Sequence, residues 1–113
     1  MELLVGECWT DRAGFHDARR PVEVDGREIA AVSECDRDGH RGIELKLVRV
    51  ADGRWVVHVA EWSHYQGETS RYRLVEVTPT DLDAGGRSER LGRVAGLARR
   101  LSLDEALGLS HEA

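Results

Sequence analysis

The fold is decided by a stretch that begins Gly42-Ile43-Glu44-Leu45-Lys46-Leu47 and ends at Val77. Apolar and charged residues alternate at its start with a period of two, which is typical of a strand with one buried face. The strand runs on to Val50, and Ala51-Asp52-Gly53 then predicts a three-residue loop with glycine in the left-handed conformation. A second strand over residues 54–64 follows as the other half of a hairpin.

A second hairpin is predicted directly after the first. Tyr65-Gln66-Gly67-Glu68 forms its turn, and residues 69–77 form the third strand. If Val50 pairs with Arg54, the first hairpin sets Leu47 opposite Val57, Leu45 opposite Val59 and Lys46 opposite His58. If His64 pairs with Thr69, the second sets Val59 opposite Leu74, Glu61 opposite Tyr72 and Trp62 opposite Arg71.

These two registers collect the large apolar side chains on one face of the predicted sheet. A slip of one residue in either hairpin would scatter them, because neighbouring residues of a strand point to opposite faces. The predicted core face consists of Ile43, Leu45, Leu47, Trp55, Val57, Val59, Tyr72 and Leu74.

The first forty residues predict further strands. Leu3–Trp9 is expected to be the first strand, and residues 10–20 show no clear period and are expected to form a loop. Asp25-Gly26 favours a two-residue hairpin turn between residues 22–24 and 27–32, because both residues tolerate positive φ angles. A charged connector follows at residues 36–42.

The C-terminal part predicts helices. Thr78 and Pro79 are typical of a helix start, and a later apolar stripe at helical spacing would cover the core face. That stripe consists of Leu91, Val94, Ala95, Ala98 and Leu101. We therefore predict an α+β protein: a curved antiparallel sheet of about six strands with C-terminal helices packed on one face. Residues 1–113 are expected to form a single domain, β-rich over 1–77 and helical over 78–109.

Composition limits the classes of function. The net charge of −5 argues against a general nucleic-acid binder, and no apolar stretch approaches the roughly 20 residues of a membrane span. The N-terminus carries an acid and lacks the features of a secretory signal, so we expect a cytoplasmic protein with Cys8 and Cys35 as buried, reduced thiols. Lys46 is the only lysine among 16 basic residues, a bias that we interpret as that of a GC-rich bacterial genome.

The face opposite the predicted core carries the candidate interaction residues. A tryptophan beside arginines is the residue mix of binding hot spots, and Arg71 across from Trp62 would allow a cation–π contact. The alternative is that another part of the chain, such as the first hairpin, covers Trp62. The predicted partner-binding surface comprises His58, Trp62, His64, Arg71 and Arg73, with Tyr65 at its rim.

Two further functions remain open at this point. A pocket between the curved sheet and the helix, with Glu61, Tyr72 and His58 as its polar groups, would bind a small molecule or support a minor enzymatic activity. Local recognition of nucleic acid through the arginines of the same face, with bases stacked on Trp62, is disfavoured by the acidic net charge.

No catalytic residue, metal site or cofactor is predicted. His58 and His64 lie about 20 Å apart along an extended strand, and Ser63 and His64 point to opposite faces. Our first hypothesis is therefore a small non-enzymatic binding or regulatory protein that engages a protein partner or a second copy of itself as a homodimer.

Overall fold

Seven antiparallel strands form the described part of the molecule. The computed structural model describes residues 1–78 together with Val94, Leu97, Ala98, Arg100 and Leu101. The strands are β1 (Glu2–Asp11), β2 (Gly14–Asp17), β3 (Arg20–Glu23), β4 (Gly26–Cys35), β5 (Arg41–Val50), β6 (Trp55–Ser63) and β7 (Thr69–Val77). Their order in the sheet is β2-β1-β7-β6-β5-β4, and β3 pairs with β1 outside this path.

The predicted hairpin of β5 and β6 is confirmed. Leu47 lies opposite Val57, and Leu45 lies opposite Val59. Gly53 has a φ of 94°, and the Val50 amide donates to the Arg54 carbonyl at 2.9 Å. The three-residue loop therefore sets this register, because glycine takes the left-handed conformation that the loop requires.

The predicted register of β6 and β7 is wrong by one residue. Glu61 lies opposite Arg71 instead of Tyr72, and His58 lies opposite Leu74. The predicted pairing needed His64 in the ladder, but its amide donates to the His40 carbonyl of the neighbouring hairpin at 2.8 Å.

The slip exchanges the two faces of β7. Arg71 and Arg73 share the core face with Val57 and Val59, because residues opposite each other in a ladder point to the same side. Tyr72 and Leu74 belong instead to the face that carries His58 and Trp62, and they are not core-face residues as predicted.

The predicted Asp25-Gly26 hairpin is also wrong. β3 pairs with β1 and β4 pairs with β5, so the two strands flanking this turn are not partners. The Asp25 carbonyl accepts from the Ala51 amide at 2.7 Å. Glycine is required at position 26 for a different reason from the one predicted, since a Cβ there would lie 2.5 Å from the Arg49 carbonyl oxygen.

The predicted first strand lies inside the longer β1, and the predicted loop 10–20 contains β2. An unpredicted hairpin joins β1 and β2, because the Ala13 amide bonds the Asp11 carboxylate at 2.8 Å and Gly14 has a φ of 119°.

β1 pairs with three strands, β2, β3 and β7, along different parts of its length. Gly6–Trp9 pairs with β7, whereas Glu2–Val5 pairs with β3. We call the second pair, Glu2–Val5 with Arg20–Glu23, the N-terminal ribbon. Nε2 of His58 lies 2.7 Å from the Leu4 carbonyl oxygen, so the ribbon crosses the face of the sheet that carries His58.

The predicted α+β class is wrong. The described chain is an antiparallel sheet, and no continuous helix is defined among the described residues. The N-terminal ribbon supplies a covering layer that the prediction did not contain. Most of the predicted helical segment 78–109 lies outside the described residues, including Leu91 and Ala95 of the stripe.

The described members of that stripe nevertheless belong to the core. Val94, Ala98 and Leu101 are buried with the core-face residues. The buried cluster consists of Val32, Leu45, Leu47, Val57, Val59, Val77, Val94, Ala98 and Leu101. The described residues contain no helix with the length and hydropathy needed to cross a membrane.

Candidate functional site

Two hairpin ends meet at one end of the sheet. The β4–β5 connection spans residues 36–40, the β6–β7 loop spans residues 64–68, and the bond from the His64 amide to the His40 carbonyl joins them. Each loop has a left-handed glycine, Gly39 with a φ of 73° and Gly67 with a φ of 85°. The amide of Gly67 also donates to the Thr10 carbonyl at 2.9 Å, so β1 holds the second loop.

Arg41 is at the centre of this junction. Its Nε and Nη2 atoms donate to the two carboxylate oxygens of Glu68 at 2.8 and 2.5 Å, and its guanidinium carbon lies 4.6 Å from the centre of the Tyr65 ring. The hydroxyl of Ser63 donates to the same carboxylate. The bonds from Arg41 and Ser63 lower the pKa of Glu68 to about 2. The ion pair therefore stays charged at neutral pH and fixes the two loops in one arrangement.

The aromatic rings of the two loops lie against each other. His40 and Tyr65 are 5.2 Å apart between ring centres, and Trp62 and His64 are 4.8 Å apart. Trp62 is half-buried, and a Cβ on Gly42 would overlap its indole ring. The indole of Trp62 can therefore lie directly against the backbone of β5, because position 42 has no side chain. We call His40, Arg41, Trp62, His64 and Tyr65 the hairpin-end cluster.

A cleft of about 550 Å³ adjoins the hairpin-end cluster. It is lined by Glu34, Cys35, Asp36, Arg41, Gly42, Ile43, Glu61, Trp62, Ser63, Glu68 and Thr69. The lining contains four carboxylates and the single guanidinium of Arg41, which is already paired with Glu68. The cleft is therefore negatively charged.

The six residues of the predicted partner-binding surface do not form one surface. Trp62, His64 and Tyr65 belong to the hairpin-end cluster, whereas His58 is buried. Arg71 and Arg73 are on the core face because of the register slip. Arg71 is exposed beside Glu7 at 3.5 Å, so the predicted cation–π pair with Trp62 does not exist.

The sequence prediction missed His40 and Arg41. Both lie in the charged connector of residues 36–42, for which the sequence analysis predicts no function. The charged residues and the histidine of this connector mark it as a possible binding segment. The sequence does not show, however, that the connector contacts the β6–β7 loop.

The predicted small-molecule pocket is also divided. Glu61 lines the cleft, but Tyr72 and His58 point to the other face. Arg19 covers the Tyr72 ring there, with its guanidinium carbon 4.9 Å from the ring centre, and Asp17 holds this guanidinium through two side-chain bonds. Of the three predicted polar groups, only Glu61 lines that cleft.

The cysteines differ in environment. Cys8 is buried as predicted, whereas Cys35 is exposed, and both are free thiols. β1 and β4 are separated by three strands in the sheet, so these cysteines are not neighbours. In the part of the chain that the structure describes, no three histidine, cysteine, aspartate or glutamate side chains are grouped as metal ligands.

Comparison of the chain with protein-family models, with curated proteins and with solved structures finds no match. The hairpin-end cluster and its cleft are therefore the basis for a functional proposal.

Proposed function

We propose that the chain is a binding protein that holds a protein partner at the hairpin-end cluster. The observation that carries this proposal is the fixed association of aromatic and cationic side chains from two hairpins, centred on the bonds of Arg41 to Glu68 and its contact with Tyr65. Tryptophan, tyrosine and arginine are the residues most often found at binding hot spots. Loops held in place by ion pairs and backbone bonds also lose little conformational freedom on binding.

The adjoining cleft supports a basic contact residue on the partner. The lining residues carry four carboxylates against one guanidinium, which gives the lining an excess of negative charge. A lysine or arginine of the partner would place its charge near these carboxylates.

Binding of short synthetic peptides tests the proposal. The peptides carry one lysine or arginine between apolar residues, and control peptides carry glutamate in its place. We expect the basic peptides to bind the wild-type protein. The Trp62→Ala/Tyr65→Ala variant should weaken binding about thirtyfold, which corresponds to about 2 kcal/mol.

Arg41→Ala and Arg54→Ala form a matched pair of variants. Both arginines are more than half exposed and pair with a carboxylate in a hairpin, at opposite ends of β5 and β6. Arg41→Ala should weaken peptide binding and Arg54→Ala should not. Equal binding of the glutamate peptides, or equal effects of the two arginine variants, would contradict the proposal.

The protein partner could also be a second copy of the same chain, and the proposal then predicts a homodimer. If the partner is a second copy, light scattering of the wild-type protein will give the mass of a dimer, and Trp62→Ala/Tyr65→Ala will return it to the monomer mass with little change in Tm. A monomeric wild type that binds none of the peptides would reject the proposed function.

Glu61 in the cleft supports a second candidate, the binding of a small molecule. A thermal-shift screen of metabolites with the wild type and Glu61→Gln distinguishes it from the first. A rise in Tm that disappears in Glu61→Gln but persists in Tyr65→Ala would favour a small-molecule site.

A further inference from the structure

His58 is a buried histidine with only one of its ring nitrogens bonded. The side chain is 6 % exposed, and its Nε2 lies 2.7 Å from the Leu4 carbonyl oxygen. A carbonyl can only accept a hydrogen bond, so Nε2 carries the proton. Nδ1 is buried and has no hydrogen-bond partner among the residues that the structure describes, and in the neutral ring it is the unprotonated nitrogen.

Protonation would change both the charge and the bonding of this ring. Nδ1 would become a second N–H donor at a place where no acceptor is within reach, and a buried donor without a partner is strongly disfavoured. The ring would also acquire a positive charge directly across from Lys46 of β5. Burial of a charge without a paired carboxylate opposes folding of the part that buries it.

The charged and titratable groups on the surrounding elements do not offer His58 a paired carboxylate. On the same face, β5 contributes Lys46 and Glu44, which pair with each other at 3.4 Å. β7 contributes Tyr72, whose ring centre is 6.3 Å from that of His58, and Glu76. The remaining groups come from β1, the connection before β3 and the start of β3: Glu2, Cys8, Arg19 and Arg20.

The N-terminal ribbon is the element that His58 holds. The bond to Leu4 ties the ribbon to β6, and several apolar residues on that face of β5 and β6 are buried. These covered residues are Val48, Val56 and Ala60, and Leu3 of the ribbon itself is buried at 4 % exposure. Release of the ribbon would expose an apolar surface that is otherwise covered.

We propose that protonation of His58 releases the N-terminal ribbon, which makes the ribbon a pH-sensitive cover over the apolar face of β5 and β6. The neutral ring donates to Leu4 and keeps the cover closed. The imidazolium has a charge and a second donor that the closed site cannot accommodate, so the ribbon opens. Imidazole is the side chain that proteins most often use as a proton-sensitive group.

Hydrogen exchange of the backbone amides tests the proposal. Protection of Leu3–Val5 and β3 is measured between about pH 7.5 and about pH 5.5, with the exchange rates corrected for the intrinsic effect of pH. In the wild type, we expect the protection factors of the ribbon amides to fall at least about tenfold in acid, while those of the β5 amides stay unchanged.

The informative variant is His58→Gln, which retains an N–H donor for Leu4 but cannot take up a proton. It should keep its ribbon protection through the same pH range. His64→Gln, at an exposed histidine, is the matched control and should respond as the wild type does. Unchanged protection in the wild type, or an equal loss in His58→Gln, would overturn the proposal.

Nitrogen NMR of the His58 ring in the wild type gives a test that does not depend on the folding of a variant. The expected result is a proton on Nε2 at neutral pH, with ring protonation and loss of ribbon protection sharing one midpoint. A ring that stays neutral while protection falls would also overturn the proposal.

Discussion

Gly42→Ala should disturb the hairpin-end cluster more than a single methyl group would disturb an ordinary strand. A Cβ at this position would overlap the indole ring of Trp62 and lie 2.9 Å from the Glu34 carbonyl oxygen. Overpacking of this kind costs about 1 to 3 kcal/mol, and alanine regains about 0.5 to 1 kcal/mol by restricting the unfolded chain. We therefore expect a net loss of up to about 2.5 kcal/mol in the free energy of unfolding.

A double-mutant cycle with Trp62→Ala isolates the cause. Without the indole ring, only the contact with the Glu34 carbonyl remains, so Gly42→Ala should cost less than about 1 kcal/mol in that background. The four proteins are compared by urea unfolding followed by circular dichroism. A double mutant whose loss equals the sum of the single losses within about 0.5 kcal/mol would refute the inferred contact.

Three further results are expected. Leu47→Ala should lower the free energy of unfolding by about 2 to 5 kcal/mol in urea melts, because Leu47 is fully buried. The control is Leu4→Ala, which should lower it by less than about 1 kcal/mol because the Leu4 side chain is 39 % exposed. The pKa of Glu68 is lowered from 4.5 to about 2 in the folded protein, so the stability that its ionised carboxylate contributes is complete above about pH 4.5 and is lost as the pH falls toward 2. Acid unfolding of Glu68→Gln should lack this pH-dependent loss of stability. An acid unfolding profile identical to that of the wild type would contradict the role of the ion pair. Arg71→Ala should change the free energies of peptide binding and of unfolding by no more than about 0.5 kcal/mol each, because the pair of Arg71 with Glu7 is exposed. Peptide binding is measured by titration calorimetry. A loss of binding as large as that of Arg41→Ala would place Arg71 in the interface.

The two hairpins show which parts of the fold can be predicted from sequence. The register of β5 and β6 was predictable because Gly53 and a three-residue loop leave one arrangement. β6 itself gives no such guidance, since Val56 to Ala60 are all buried. A strand covered on both faces lacks the alternation that would reveal a slip of one residue, and the β6–β7 register was therefore wrong.

The candidate site was predictable only where its residues are neighbours in sequence. Trp62, His64 and Tyr65 were found because they follow one another at the end of a strand. Arg41 comes from the adjacent hairpin, and its position beside Tyr65 depends on how the two loops meet. The N-terminal ribbon could not be predicted for a similar reason, because the bond between Leu4 and His58 joins residues 54 positions apart.

The divided pairing of β1 has a consequence for the order of folding. β4, β5, β6 and β7 pair with their successive neighbours, so these contacts close short loops and can form early. β1 must wait for β7, the last strand among the described residues, because Gly6 pairs with Tyr72. During synthesis β1 would remain without this partner until the other described strands have been made, and its attachment to β7 would complete the described sheet.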